Sequence, residues 1–260
     1  MQSRGRVSSL VRPFCLCALL FVCSAGFARG ENRQSRVVCR EDFALSRRSE
    51  LSGKLRKITG WKDLEFLKNG SLTIGSGAWV GGSESARALL SAAITGDNVL
   101  ILEDASNRSD VAFGRVIPGR WKNPTSSNGP VYVVLIDFSD FDHLLGDRAA
   151  QEAFNSGWGL LHEIDHVVNN SIDSEVPALA GVCEDHINRM RRELNLPERA
   201  EYFYTMLPQT ESSEFRARFV RMPFDWSDPQ TRKHRRYWLM WDATVVGGLI
   251  EAKEIAKSRS

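Results

Sequence analysis

Residues 162–166 read His-Glu-Ile-Asp-His. On an α-helix, side chains four positions apart leave the same face, so His162 and His166 can aim two imidazole nitrogens at one ion. Glu163 stands beside that pair, near enough to take a proton from a water on the ion without ligating it. This is the working set of a zinc-dependent hydrolase, with Glu163 as general base. Catalytic zinc takes three protein ligands and leaves its fourth position to water, so another ligand must come from elsewhere. A continuation with Gly at 169 and His or Asp at 172 is absent: those positions are Asn169 and Ile172, and Asp173 is one residue out of register. An acid on the following helix is present. Glu184 shares a helical face with Gly181 and Asn188, whereas Asp185 lies with Arg189 and Arg192, which offer it an ion pair. Glu184 is therefore the expected third ligand, ahead of Asp185, Glu175 and Asp173.

Other groups invite weaker readings. His186, Tyr202 and Tyr204 are visible as stabilisers of an oxyanion, though each reads more readily as structural. Asp137, Asp140, Asp142 and His143 suit a polar loop and helix cap. Phe224, Trp226, Tyr237, Trp238 and Trp241 suit the core of a small C-terminal sheet better than a substrate cleft. His234 lies in the basic run Thr231 to Arg236 and reads as solvated.

The elements that must position this chemistry follow from periodicity. From Asp147, apolar residues recur at three- and four-residue steps through Ala149, Ala150, Ala153, Phe154, Trp158, Leu161, Ile164, Val167 and Val168, which predicts an amphipathic helix that Gly157 and Gly159 could divide. A second helix is expected over Ala178 to Leu194, opened by Pro177 and closed at Asn195-Leu196-Pro197. Ser83 to Thr95 reads as a helix stopped at Gly96, and Leu51 to Leu67 as one or two short helices. Strands are expected at Ser71 to Ile74, Val99 to Glu103 and Val111 to Ile117. Pro130 to Phe138 is the most strongly apolar and β-branched run. Its centre reads as an ordinary buried strand, although an edge strand here could pair with an extended substrate. Phe215 to Met222 and Arg236 to Trp241 suit a hairpin or small sheet. The order predicts an α+β fold.

The chain has 260 residues, 42% of them hydrophobic, enough for one good core. Arg4, Arg6 and Arg12 precede the apolar stretch Phe14 to Val22, and Gly26-Phe27-Ala28 offers small residues for a peptidase, so residues 1–28 read as an export signal. A lipoprotein anchored at Cys23 fits less well, because Val22 is bulky. Losing three arginines from 34 Lys and Arg against 32 Asp and Glu turns the net charge from +2 to −1. The balance gives no reason to expect nucleic acid, a membrane span after signal removal, or a given oligomeric state. Cys39 and Cys183 would remain, and an export route would permit a bridge between them without requiring one.

Leu161 to His166, followed by Glu184 to Tyr202 with its Asn188-x-x-Arg191 and Leu196-Pro197-x-Arg199-x-x-Tyr202 patterns, resembles the NleD-type effector and toxin-associated zincin metallopeptidases. The resemblance covers about Trp158 to Tyr204 and departs where Asn195 stands in place of a glycine. It implies a zincin fold: a small mixed or antiparallel sheet packed on the motif helix and a ligand-bearing helix, with a short C-terminal β region. It also implies Zn²⁺ held by His162, His166 and Glu184, with Glu163 as base. The expectation is an exported zinc metallopeptidase, one domain over 29–260 with residues 205–260 as a possible β appendage. It would cut peptide or protein substrates by a zinc-bound, Glu-activated water. A non-catalytic zinc-binding protein of the same fold, or a zinc hydrolase of a non-peptide amide, are the alternatives.

Overall fold

The computed structural model describes residues 35–119, 129–176, 178–207 and 218–247. The expected signal at 1–28, Pro177 and most of the Lys122 to Gly129 loop lie outside them. In chain order the elements are β1 (Val37–Cys39), α1 (Leu45–Thr59), β2 (Glu65–Phe66), β3 (Leu72–Thr73), α2 (Glu84–Thr95), β4 (Val99–Asp104), β5 (Gly114–Pro118), β6 (Val131–Ile136), α3 (Phe138–Asp142), β7 (Leu145–Gly146), α4 (Arg148–Ala153), α5 (Ser156–Val168), α6 (Val182–Glu193), β8 (Glu198–Arg199), β9 (Thr205–Met206), β10 (Phe219–Ser227) and β11 (His234–Asp242). The fold is α+β. Among the described residues, no helix is long and apolar enough to cross a membrane.

The first sheet runs β1-β4-β6-β5. β4 pairs in parallel with both β1 and β6, and β5 joins β6 antiparallel with Gly114 opposite Ile136. Continuous apolar sequence is what an interior strand covered on both faces requires, and β6 ends in four buried residues, Val133 to Ile136. Within the run Pro130 to Phe138 the strand is Val131–Ile136, an interior one, and Phe138 opens α3; the sheet's edges are β1 and β5. Helix α5 packs against β5 and β6, with α1, α2 and α6 around it.

The second sheet is built on the β10–β11 hairpin, paired over nine residues from Phe219↔Asp242 to Ser227↔His234. β7 flanks β11, while β8 and β9 flank β10. Val220, Met222, Phe224, Leu239 and Trp241 from this hairpin belong to the same buried cluster as Trp158, Leu160, Leu161 and Ile164 of α5. The motif helix thus lies in a core shared by both sheets.

Three boundaries differ from the periodic reading. The helix expected from Asp147 is two helices, and it parts at Phe154-Asn155 because the Asn155 side chain caps α5 by accepting from the Gly157 N–H at 3.0 Å. Gly157 and Gly159 stay helical and serve packing: a Cβ at 159 would meet Phe141 Cζ at 2.8 Å, and one at 157 would meet Lys54 Cβ at 2.9 Å. The second helix starts at Val182, since Ala178 (φ 68°) and Gly181 (φ 88°) are left-handed. It closes at Asn195, whose φ of 55° is the left-handed conformation that asparagine, next after glycine, adopts. The Leu196 N–H then reaches the Arg191 carbonyl at 2.9 Å. In the N-terminal part, α1 ends at Gly60 and is followed by a short strand.

Candidate metal centre

His162 and His166 lie one turn apart on α5, their ring centroids 4.8 Å apart and their planes perpendicular. The His166 Nδ1 lies 2.9 Å from the Ser171 carbonyl, so it donates there and Nε2 is left to face the site. The fourth residue of the motif, Asp165, points the other way and is fully buried. Its carboxylate accepts from Asn169 Nδ2 and Ser171 Oγ, both at 2.6 Å, and pairs with His186 Nδ1 at 2.9 Å. These bonds fold the chain back as α5 ends, through a left-handed Asn170 (φ 50°).

That turn brings Asp173 to the histidines. Its Oδ1 lies 3.1 Å from His162 Nε2 and its Oδ2 3.4 Å from His166 Nε2. Tyr202 donates its hydroxyl to Asp173 Oδ2 at 2.7 Å, and its ring stacks on His162 at 6.2 Å. Asp173 Oδ1 is nevertheless a buried oxygen with no hydrogen bond of acceptable geometry. A ring nitrogen and a carboxylate oxygen at these distances can share a cation, either a proton or a metal ion. Ligands at about 2.1 Å on tetrahedral corners stand about 3.4 Å apart, close to both separations.

Glu184 does not complete this set. Its carboxylate is buried on α6, with Oε1 taken by the Arg191 guanidinium and Oε2 by Arg199 Nη1 at 3.0 Å. Asn188 bonds Arg191 Nη1 and the Arg199 backbone N–H, both at 2.8 Å. The expected ligand is thus the centre of a buried ion cluster, and from there Oε2 reaches His162 Nδ1 at 3.4 Å. A carboxylate on the far nitrogen of a metal-binding histidine orients the ring and raises its basicity. The Asn188-x-x-Arg191 and Arg199-x-x-Tyr202 patterns, legible in the sequence, supply this support. Asp185 and Glu175 face solvent.

Cys183, at the start of α6, is fully buried with Sγ 3.4 Å from both His162 Nδ1 and the His162 carbonyl. One donor atom each from His162, His166, Asp173 and Cys183 fall within 4.8 Å of one another. Cys39 and Cys183 are both free thiols.

Glu163 is buried between α5 and β5. A Cβ at Gly114 would meet its Oε1 at 3.1 Å, and it makes a backbone hydrogen bond with Val116. Phe113 and Gly119 bond β6, so by strand alternation Val116 points its N–H outward to this carboxylate. A cavity of about 140 Å³ opens beside His162 and Glu163, walled by Phe113, Phe154, Trp158, Phe203, Met222 and Trp241.

The electrostatics follow from crowding. Burial raises the Glu163 pKa, only partly offset by the two imidazoles. Burial opposes charge on His162 and His166 as well. Asp173 and Cys183 beside them outweigh it, with Glu184 adding at His162, so His162 sits well above its ordinary range and His166 is pushed up to about 11. Asp173 is held far below the carboxylate range by both histidines and Tyr202, against its burial. Glu184 is held low in the same way by Arg191 and Arg199.

The remaining candidates have structural roles. His186 is paired to Asp165, and Tyr202 is committed to Asp173. Asp137 caps α3 by accepting from Asp140 N at 3.1 Å. Phe224 and Trp241 are core residues, while Trp226 and Trp238 are only partly covered. His234 is exposed beside Ser227. Asp173 ranked behind Glu184 among the expected ligands because its offset from His166 fits no expected spacing. Ser171 and the two asparagines before it, beside the buried Asp165, were the available signal. No family model matches this chain, and no curated protein or solved structure matches it.

Proposed function

We propose that the chain is an exported zinc metallopeptidase of the zincin type, in which His162, His166 and Asp173 hold Zn²⁺ and Glu163 is the general base. The observation that carries this reading is the meeting of Asp173, with its orphaned Oδ1, and the two motif histidines at separations suited to one tetrahedral ion. Zn²⁺ there would supply Lewis acidity, polarising a carbonyl and acidifying a water.

The chain's own groups do the rest. Glu163 takes the proton of the attacking water and returns it to the leaving nitrogen, and its burial raises its pKa toward that task. The Val116 N–H and the bare Gly114 surface fix where the carboxylate sits. Glu184, clamped by its arginines, keeps the His162 ring in place. β5 has no outer strand neighbour among the described residues, so an extended peptide pairs along that edge beside Val116, whose own N–H is held by Glu163. The aromatic cavity beside Glu163 takes an apolar side chain next to the scissile bond.

Metal analysis of the purified protein should find about one zinc per chain. A fluorogenic peptide library should be cleaved by the zinc-loaded protein, and Glu163→Gln should abolish cleavage while keeping the metal. Zinc at background, or full cleavage by Glu163→Gln, refutes the reading. Zinc without cleavage of peptides or other amides leaves a binding protein of the same architecture.

A further inference from the structure

We propose that Cys183 is a fourth protein ligand, so that the resting protein encloses its ion in a His₂AspCys cage and hydrolyses substrate only when the sulfur withdraws. This rests on the metal-site reading above. It goes beyond that reading because a catalytic site keeps one position for water, whereas a closed four-ligand set is the mark of a structural or latent one.

The geometry is specific to this cysteine. Its Sγ is fully buried, belongs to no disulfide, and one donor atom from it and from each of His162, His166 and Asp173 fall within 4.8 Å of one another. Sγ stands 3.4 Å from His162 Nδ1 while Asp173 faces Nε2, so ligation needs a small turn of the His162 ring or the Cys183 side chain toward the shared ion. It sits in the first turn of a twelve-residue helix, where the backbone N–H groups favour a negative sulfur. The other buried thiol, Cys39 in β1, belongs to no such donor group among the described residues, and burial pushes its pKa up to about 12.

Coordination requires the thiolate, so loading the ion releases the thiol proton to solvent. A soft sulfur also favours zinc over magnesium or calcium. With the sulfur in place, Glu163 has no water to deprotonate. Once the sulfur has withdrawn, the three remaining ligands form the open site.

Zinc K-edge absorption of the wild-type, zinc-loaded chain should show one sulfur at about 2.3 Å among nitrogen and oxygen neighbours. Cobalt-substituted wild type should show a near-ultraviolet thiolate-to-cobalt band that Cys183→Ser loses while its cobalt d–d bands persist. Zinc-loaded Cys183→Ser should cleave a fluorogenic peptide library faster than wild type. Metal surrounded only by nitrogen and oxygen, or a cobalt band that survives the substitution, overturns the ligand assignment and leaves the proposed peptidase intact. A sulfur ligand without faster cleavage by the variant overturns the latency. No metal on the wild type refutes the site itself.

Discussion

Two acids on either side of His162 have opposite fates, and their neighbours decide them. Glu184 meets two guanidinium groups that already satisfy both its oxygens, while Asp173 meets two imidazole nitrogens and a phenol. Replacing Asp173 by Ala should therefore weaken zinc binding further than Glu184→Gln does, as competition with a chelator would show. Glu184→Gln should still bind one zinc, about 10- to 100-fold more weakly, because it loosens the orientation of His162. It should also lower unfolding free energy by about 3–5 kcal/mol, since Arg191 and Arg199 are left without their counter-charge, as a denaturant midpoint would show. The metal-free site carries protons that the ion must displace. The pKa of His162 is raised above its ordinary range and that of His166 up to about 11, so protons compete with an ion for both rings. Zinc uptake should release protons, and apparent affinity should fall as pH falls. Calorimetry in buffers of different ionisation enthalpy measures both. At this scale the histidines and Glu163 were legible because a helix makes their spacing meaningful. Asp173 was not, because its placement depends on a turn tied to Asp165 rather than on any period.

Helix α5 is positioned by what its sequence lacks as much as by what it presents. Alanine at 159 would raise helix propensity by about 1 kcal/mol, but its methyl would stand 2.8 Å from the Phe141 ring. Gly159→Ala should therefore lower stability by about 1–3 kcal/mol and displace α3 from α5, readable in the thermal melt and in exchange at the α3 amides. Glycine in a helical pattern reads locally as a weak point, and only the approach of another element shows it to be a contact. The same limit explains the misplaced break between α4 and α5, where the Asn155 cap outranked the glycines. The β6 strand and the β10–β11 hairpin were legible because strong alternation or continuous apolar sequence needs no partner to be recognised. Which strand formed the edge was not, since pairing order is set by distant segments.

The molecule as a whole joins two sheets through one buried cluster, and the candidate centre draws its groups from α5, the turn after it, α6 and the segment through Tyr202. An ion there bridges elements that otherwise meet through side-chain packing. Saturating zinc should therefore raise the melting temperature, by about 4 kcal/mol of binding linkage at a thousandfold excess over Kd, and chelation should reverse it. Glu163→Gln should melt with nearly the same zinc increment as wild type, because that residue supplies no ligand in the proposed set. The α+β class could be read from the order of elements; the shared core could not, because a chain read locally gives no measure of which apolar faces meet.

His162, His166, Asp173 and Cys183 fall within 22 consecutive residues. Gathering them closes only short loops, whereas pairing β1 with β4 must join segments some sixty residues apart. The centre can thus assemble from a half-folded chain, ahead of the sheets. An ion captured at that stage would act on the rate of folding, as a local nucleus, before it acted on any substrate.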